Sequence, residues 1–210
     1  MNNEMNKKVV PKKLILVFTR NPELGKVKTR LAKTIGDQSA LLIYQFLLQH
    51  TQKVVRSIEA DKAVYYSEKI RENDIWDSTI FQKHLQIGKD LGERMQNAFQ
   101  TSFNHKYNQI IIVGSDLFDL QSQHIEEAFN KLEDNNVVIG PAKDGGYYLL
   151  GMKKLYTKLF KNKQWGTSSV LKDTLSNLKN EKVFLLEELN DIDTFEDMKE
   201  VTTLKKLIQL

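Results

Sequence analysis

The sequence of 210 residues contains no cysteine. This absence excludes disulfide bonds, thiolate metal sites and cysteine nucleophiles. A cysteine-free chain also agrees with a reducing compartment, so we expect the protein in the cytoplasm. No apolar stretch approaches the roughly 20 residues that a membrane-spanning helix needs, and no signal-peptide pattern precedes Val9. We therefore expect no membrane span.

Two common nucleotide-binding patterns are missing as well. The sequence contains neither the Gly-x-x-x-x-Gly-Lys-Ser/Thr phosphate-binding loop nor the Gly-x-Gly-x-x-Gly dinucleotide pattern. The histidines show no ligand spacing and do not predict a metal site; they are His50, His84, His105 and His124. The net charge of +4 is mild, and no basic face is interleaved with aromatic residues, so we expect no nucleic-acid partner.

What is present is an ordinary globular composition, with 40% hydrophobic and 28% charged residues. The length predicts a single domain over residues 1–210, of which residues 1–12 are expected to be a flexible extension. Apolar and β-branched runs predict strands at 14–18, 62–67, near 85, at 109–113, 136–140 and 183–186. Helical periodicity predicts helices at 37–58 with Asp37 as N-cap, from Leu91 to Phe103, after Ser122, at 154–160, after Ser169 and after Thr194.

This alternation of strands and helices predicts an α/β protein, a three-layer α/β/α sandwich with a mostly parallel sheet. In such folds functional groups gather in the loops beyond the carboxyl ends of the strands. The first strand leads into a loop that contains Pro22 and Gly25 and ends in Lys26, Lys28 and Arg30. Cations and hydroxyls in such a loop favour phosphate binding, although an ordinary surface loop with lysines is the alternative.

The other loops of this kind are rich in carboxylates, at 116–119, 143–146 and 191–193. Two carboxylates about 4 Å apart repel by about 4 kcal/mol at an effective dielectric near 20, so convergent aspartates need a cation between them. Oxygen ligands suit Mg²⁺ or Mn²⁺. Simpler interpretations remain open: Asp116 as a cap, Asp144-Gly-Gly as a tight turn, and Asp191 and Asp193 as the start of a helix.

Five motifs in order make the chain resemble a bacterial family of GT-A-like proteins described as uncharacterised or as arsenosugar-biosynthesis glycosyltransferases. They are Arg-x-Pro-x-x-Gly-x-x-Lys-Thr-Arg-Leu at 20–31, Gln-x-Gly-x-Asp-Leu-Gly-x-Arg-Met at 86–95, Gly-Ser-Asp at 114–116, Gly-Pro-Ala-x-Asp-Gly-Gly-Tyr-Tyr-Leu-x-Gly at 140–151 and Asp-x-Asp-Thr-x-x-Asp at 191–197, together with Trp165. In two places the chain departs from the family pattern, with Phe118 in place of a proline and Gln121 in place of Ser/Thr. We therefore expect a less rigid loop after Asp116.

The resemblance implies the nucleotide-diphospho-sugar transferase (GT-A) fold, which is similar to that of phospholactate and molybdenum cofactor guanylyltransferases. It assigns nucleotide binding to Arg20, Gly25, Lys28, Thr29, Arg30, Gln86, Gly88 and Asp90. It assigns the metal to Asp116 and Asp193, catalysis to Asp116, Asp144 and Lys28, and substrate binding to Asp144, Gly145, Gly146, Tyr147 and Trp165.

The expected function is an enzyme, a glycosyltransferase that depends on Mg²⁺ or Mn²⁺ and uses a nucleotide-sugar donor and a small-molecule acceptor. One alternative is a nucleotidyltransferase that transfers a nucleoside monophosphate from a nucleoside triphosphate to a phosphorylated acceptor and releases pyrophosphate. Another is a catalytically silent nucleotide-binding protein. The first is preferred because Phe18-Thr-Arg-Asn-Pro replaces the glycine-rich loop that wraps a triphosphate in nucleotidyltransferases of this fold. The oligomeric state stays open.

Overall fold

The computed structural model describes residues 12–209, so the predicted N-terminal extension lies outside the described residues apart from Lys12. The strands are β1 (Lys13–Thr19), β2 (Asp61–Tyr66), β3 (Phe81–Leu85), β4 (Gln109–Val113), β5 (Val137–Pro141), β6 (Tyr147–Met152) and β7 (Val183–Leu185). The helices are α1 (Thr29–Ile35), α2 (Asp37–Arg56), α3 (Leu91–Asn104), α4 (Ser122–Asp134), α5 (Val170–Asn177), α6 (Phe195–Met198) and α7 (Thr202–Leu207), with a 3₁₀ helix at Thr157–Phe160.

Within residues 12–209 these seven strands form one sheet in the order β3-β2-β1-β4-β6-β5-β7. All neighbours are parallel except β6, which is antiparallel to both β4 and β5. The central strands β1 and β4 are buried along nearly their whole length, because their continuous apolar runs suit a sheet covered on both faces. The predicted α/β class and mostly parallel sheet are confirmed.

Helices cover both faces of the sheet and make the predicted three layers. Apolar residues of α2 and α4 pack on one face, where they include Tyr44, Leu48, Ile125 and Phe129. Apolar residues of α3 and of the 3₁₀ helix pack on the other face, where they include Met95, Phe99, Leu159 and Phe160. A third cluster joins α1 and α2 to α6 and α7 at one end of the sheet. Among the helices of residues 12–209, none is long and apolar enough to cross a membrane.

Several local predictions are wrong for identifiable reasons. Gly36, not Asp37, is the N-cap of α2, because its positive φ of 80° joins the end of α1 directly to the start of α2. Gln121, not Ser122, is the N-cap of α4, and its backbone N–H donates to Nδ1 of His124 at 3.1 Å. Leu91 was expected in the core but is 43% exposed, because it faces the cleft described below. Strand β6 and helix α1 were not predicted.

Candidate functional site

Four loops meet at the carboxyl-terminal edge of the sheet. The loop after β1 lies beside the loop after β4 because the two strands are parallel neighbours. Isolated bridges then join Leu117 to Asp191 and Ala142 to Leu189, which brings the β5–β6 turn and the segment after β7 to the same edge. Ile192 N–H also donates to the backbone carbonyl of Asp116 at 3.2 Å. The cationic loop and the carboxylate-rich loops therefore face one another, as the sequence predicts.

Lys28 lies between two of the predicted metal ligands. Its Nζ is 2.9 Å from Oδ2 of Asp116 and 3.5 Å from Oδ1 of Asp193. The Lys28 side chain is only 3% exposed, whereas the two carboxylates are 39% and 37% exposed. Burial alone would lower the pKa of Lys28, but the attraction of Asp116 and Asp193 outweighs it and holds that pKa above its ordinary value. This ammonium group therefore supplies one cation between the converging carboxylates.

Asp116 and Asp193 differ in how many of their carboxylate oxygens are available to a metal ion. Arg30 donates to Oδ2 of Asp193 at 3.1 Å, so both oxygens of Asp193 face cations of the protein. Lys28 contacts Asp116 through one of its two oxygens. Within residues 12–209 there is no group of three or more His, Asp or Glu side chains that could hold a metal by themselves. Because Mg²⁺ in nucleotide enzymes is commonly held by one or two carboxylates together with phosphates, Asp116 fits such a site better than Asp193.

Asp191 adds a third carboxylate to this edge. Burial, followed by the negative charges of Asp116 and Asp144, raises the pKa of Asp191 to about 6. The side chain is partly buried. Lys28 and Arg30 therefore do not fully compensate the negative charge of these loops, and an added cation would be favourable here.

Replacing Asp191 by Asn should stabilise the protein at neutral pH. The pKa of Asp191 rises from 3.8 to about 6 in the folded protein. The free energy of unfolding therefore falls as the pH rises from about 4 to 6, and the full loss is present above pH 6. Allowing for solvent around the half-buried group, we expect Asp191→Asn to add about 1–2 kcal/mol at pH 7.5 and almost nothing at pH 4. Urea unfolding at the two pH values measures the difference. An equal effect at both, or a loss at pH 7.5, would contradict the charge crowding.

The cationic side of the edge forms a polar cleft of about 800 Å³, here called the phosphate cleft. Its wall includes the cationic residues Arg20, Lys26, Lys28, Arg30 and Arg94, and it also includes Thr29, Gln86, Asp116, Asp144 and Asp193. The structure thus brings together most of the residues predicted to bind nucleotide. Arg94 was missed as a site residue, although it is the arginine of the motif at 86–95. Its Nε donates to the carbonyl of Gly88 at 3.1 Å, which holds the side chain over the cleft.

Three residues that were predicted to bind nucleotide do not line the phosphate cleft. They are Gly25, Gly88 and Asp90. Asp90 is the N-cap of α3, because its side chain accepts the Glu93 N–H at 2.8 Å. Gly88 has a φ of 147°, and a Cβ there would lie 2.7 Å from the backbone nitrogen of Arg94, so the close approach of the chain to α3 requires glycine. The motif at 86–95 therefore serves mainly to start α3 close to the cleft and to direct Arg94 into it.

The loop between β1 and α1, residues 20–28, is fixed by side chains that the sequence did not single out for this role. The hydroxyl of Tyr44, on α2, accepts the Arg20 N–H at 2.9 Å and contacts the Arg20 carbonyl at 3.1 Å. Asn21 is 3% exposed, and its Oδ1 accepts the Glu68 and Lys69 N–H groups at 3.0 and 3.3 Å. Tyr44 was predicted only as part of the buried face of a helix. These contacts hold the phosphate cleft in shape from both sides.

Gln86 ties the ends of two strands together at the same place. Its side-chain amide donates to the Thr19 carbonyl at 3.0 Å and to the Tyr65 carbonyl at 2.9 Å. Both N–H groups of the amide are therefore used by the backbone, which leaves the amide oxygen as the group that can contact a ligand.

The loop after Asp116 is anchored despite the two departures from the family pattern. The ring of Phe118 stacks on Phe46 at 6.3 Å and on the imidazole of His50 at 6.1 Å between centroids. Nε2 of His50 in turn lies 2.7 Å from the Leu120 carbonyl. Aromatic packing thus contacts the loop at the position of the missing proline, and the lower rigidity expected from sequence stays a prediction.

A second, smaller cavity of about 220 Å³ opens beside the phosphate cleft and is here called the side cavity. The two share Phe18, Leu91, Gly114, Asp116, Asp144 and Gly166. Four of the residues predicted to bind substrate line the side cavity, namely Asp144, Gly146, Tyr147 and Trp165. Burial keeps the pKa of the Tyr147 hydroxyl above its ordinary value, so this group stays protonated.

The fifth predicted substrate residue, Gly145, is not in the wall of the side cavity, and it has a structural role in the turn beside it. Its φ is 87°, and a Cβ there would lie 2.3 Å from the Ser168 carbonyl oxygen. Oδ1 of Asp144 accepts the Gly146 N–H at 2.7 Å and closes the turn. The tight-turn interpretation of Asp144-Gly-Gly therefore holds, and the turn also places Asp144 at the boundary between the two cavities.

Gly145 and Gly166 form a matched pair for testing this packing. Both have a positive φ, 87° and 80°, but a Cβ at Gly166 would have no atom within 4 Å. We expect Gly166→Ala to lower the free energy of unfolding by about 1–2 kcal/mol through backbone strain alone. Gly145→Ala should cost about 1–3 kcal/mol more, because the methyl group also overlaps the Ser168 backbone. Urea unfolding of the two variants gives the comparison, and equal losses would mean that the contact with Ser168 relaxes without cost.

The chain is similar to known proteins in sequence and in fold. Two curated relatives are 2-phospho-L-lactate guanylyltransferases: that of Methanocaldococcus sp. (strain FS406-22) is 24% identical over 184 residues, 85% of this chain and 77% of the relative. That of Methanocaldococcus vulcanius is 24% identical over 194 residues, 90% of this chain and 84% of the relative. Both alignments extend over most of the two proteins.

Solved structures show the same fold. A protein of Desulfovibrio desulfuricans G20, assigned as a nucleotide-diphospho-sugar transferase, has a TM-score of 0.83 and 29% identity over 95% of each chain. The 4-diphosphocytidyl-2C-methyl-D-erythritol synthase of Anaerococcus prevotii has a TM-score of 0.60 and 12% identity, with 95% of this chain and 97% of that one covered. The predicted relation to the nucleotide-diphospho-sugar transferase superfamily and to phospholactate guanylyltransferases is confirmed. Residues 49–167, more than half of the chain, match a bacterial family, and the protein belongs to it: the family described as "Uncharacterized protein conserved in bacteria (DUF2064)".

Proposed function

We propose that the protein is a nucleotidyltransferase that binds a nucleoside triphosphate in the phosphate cleft. In this proposal the nucleoside monophosphate is transferred to a small phosphorylated acceptor, and pyrophosphate is released. The observation that carries the proposal is the convergence of five cationic side chains and Asp116 in one cleft that opens into a second, less polar cavity. Such a pair of connected sites suits two substrates that react at their boundary.

The curated relatives support nucleotidyl transfer over the glycosyl transfer preferred from sequence, because both are named guanylyltransferases. The phosphate cleft of about 800 Å³ also weighs against the sequence-based objection that the loop without a glycine-rich start has little room for three phosphates. Glycosyl transfer is kept as the second candidate, because the solved structure at 29% identity is assigned as a nucleotide-diphospho-sugar transferase. We also keep a cytoplasmic location as a prediction.

In the proposed reaction an oxygen of the acceptor phosphate attacks the α-phosphorus, and the bond between that phosphorus and the bridging oxygen to the β-phosphate breaks. The pair of electrons leaves with pyrophosphate, so the cleft has to stabilise charge on the β- and γ-phosphates. Lys28 and Arg30 at the start of α1 and Arg94 on α3 are placed to do so. A phosphate nucleophile is already ionised at neutral pH, so no general base is needed.

We further propose that Mg²⁺ or Mn²⁺ takes part, with Asp116 as its main protein ligand and Asp193 or Asp191 as a second. When bound, the ion would neutralise phosphate charge and orient the α-phosphate. Lys28, whose Nζ lies 2.9 Å from Asp116, is the ammonium group that we expect to bind a phosphate oxygen. Asp144, at the boundary of the two cavities, is the carboxylate placed to orient the acceptor.

A thermal-shift screen tests the proposal. Nucleoside triphosphates, nucleoside diphosphates and nucleotide sugars are added singly, with and without Mn²⁺. A ligand at about 100 times its dissociation constant adds about 2.7 kcal/mol of stability, which is readily detected. We expect a triphosphate with metal to give the largest shift. A larger shift from a nucleotide sugar than from its matching triphosphate would favour the second candidate, and no shift from any nucleotide would contradict both.

A further inference from the structure

The two connected cavities differ sharply in charge. The phosphate cleft contains five cationic residues, whereas the wall of the side cavity, as far as residues 12–209 describe it, contains no Lys or Arg. Its charged residues are instead the aspartates Asp116, Asp144 and Asp191. An anionic group inside the side cavity would therefore meet the carboxylates of Asp144 and Asp191, beside an Asp116 that is already paired with Nζ of Lys28 at 2.9 Å, in a partly desolvated place where repulsion is strong.

Most of the rest of the side cavity is apolar. Its wall includes Met95, Ile112, Leu117, Leu150 and Val170, together with the ring of Trp165. Trp165 is held there by close contact with α3, since a Cβ at Gly92 would lie 2.6 Å from its Cζ2 atom. Burying an apolar surface against such a wall is favourable, and among the described residues that line the cavity there is no basic side chain to recognise a carboxylate or a second phosphate.

The geometry points to an acceptor with a single anionic group. We infer that its attacking phosphate lies at the boundary beside Lys28, while an uncharged or cationic body, largely apolar, fills the side cavity. This inference rests on the proposed function, because it takes the side cavity to be the acceptor site. It separates the protein from its curated relatives, since 2-phospho-L-lactate, the compound in their name, carries a carboxylate in addition to its phosphate.

A matched pair of ligands tests the inference. The probes are 2-phospho-L-lactate and its amide, 2-phospho-L-lactamide, which differ only in the replacement of the carboxylate by a carboxamide. Binding to the full chain is followed by the fluorescence of Trp165, which lines the side cavity, with Trp165→Phe as the control for signal from Trp76. We expect the amide to bind at least tenfold more tightly, because it removes one repelled charge.

A positive charge introduced at the rim should cancel this preference. Leu91 lines both cavities and is 43% exposed, so a lysine there can be solvated and the fold is not at risk. Leu91→Lys should strengthen 2-phospho-L-lactate binding about tenfold relative to the amide. Leu91→Gln, which adds a polar group of similar length without charge, is the comparison for the loss of the apolar side chain, so the effect of the charge is the difference in preference between the two variants.

Three results would overturn the inference: equal or tighter binding of 2-phospho-L-lactate by the wild type, no binding of the amide, or the same preference in Leu91→Lys and Leu91→Gln. None of these depends on a nucleotide. Failure of the proposed function would be seen separately, as the absence of pyrophosphate release from every nucleoside triphosphate.

Discussion

Asp116→Asn is expected to lower turnover by about 10²–10³-fold in the presence of Mg²⁺ or Mn²⁺, which is the usual effect of removing one strong electrostatic contact at a reacting phosphate. The substitution keeps the shape of the side chain and removes its charge. Without metal the effect on nucleotide binding should have the opposite sign, because a carboxylate that repels the phosphates is gone. Calorimetric titrations with and without metal therefore separate a metal-binding role from a structural one.

Asp119→Asn is the matched control for this experiment. Asp119 lies in the same loop, is exposed and does not line the phosphate cleft, so the same change of charge should alter neither turnover nor metal dependence. If Asp116→Asn keeps the full gain in nucleotide affinity on addition of metal, Asp116 is not a metal ligand, and its pairing with Lys28 is structural.

Lys28→Met should weaken nucleotide binding about 10- to 100-fold. The substitution would remove the proposed charge-assisted hydrogen bond to phosphate, worth about 1.5–3 kcal/mol, while a linear side chain of similar length still fills the buried space. It also leaves Asp116 and Asp193 without the ammonium group that now lies 2.9 and 3.5 Å from them. The loss of folding stability should stay near 1–2 kcal/mol, because these carboxylates are 39% and 37% exposed and water can solvate them.

Arg30→Ala provides the comparison, since Arg30 contacts the same Asp193 but its side chain is 66% exposed. We expect a smaller loss of affinity, near tenfold, and almost no change in stability. Isothermal titration with the nucleotide that gives the largest thermal shift measures both variants. An affinity of Lys28→Met within twofold of the wild type would show that the buried lysine serves only to pair the carboxylates.

The sequence predicted the position of the site better than its internal contacts. Strands β1 and β4 were evident from their buried apolar runs, and parallel neighbours end at the same edge, so the loop containing Lys28 and the loop containing Asp116 had to face each other. The direct contact between these two residues, 88 positions apart, was not predicted. It depends on the left-handed backbone of Lys28, with φ at 48°, which no local pattern indicates for a lysine.

The residues that support the site were missed for a related reason. Tyr44 has the spacing of any core residue on a helix, and only the fold shows that its hydroxyl reaches the Arg20 backbone. Strand β6 follows a glycine pair and is held by antiparallel pairing with the neighbouring strand β5 and with β4, which lies far away along the chain, so its sequence was interpreted as a motif and not as a strand. Arg94 was visible in a motif, but only the direction of α3 shows that its side chain enters the phosphate cleft.

The central claim is that a nucleoside monophosphate is transferred from a triphosphate bound in the phosphate cleft. The most direct measurement uses nucleoside triphosphates labelled at the α-phosphate, with Mn²⁺ and a small-molecule cell extract as the source of acceptor. We predict that the label moves to a new compound, that an equal amount of pyrophosphate appears, and that both are lost in Asp116→Asn but kept in Asp119→Asn. Release of a nucleoside diphosphate from a nucleotide sugar, without pyrophosphate from any triphosphate, would contradict this account and establish glycosyl transfer instead.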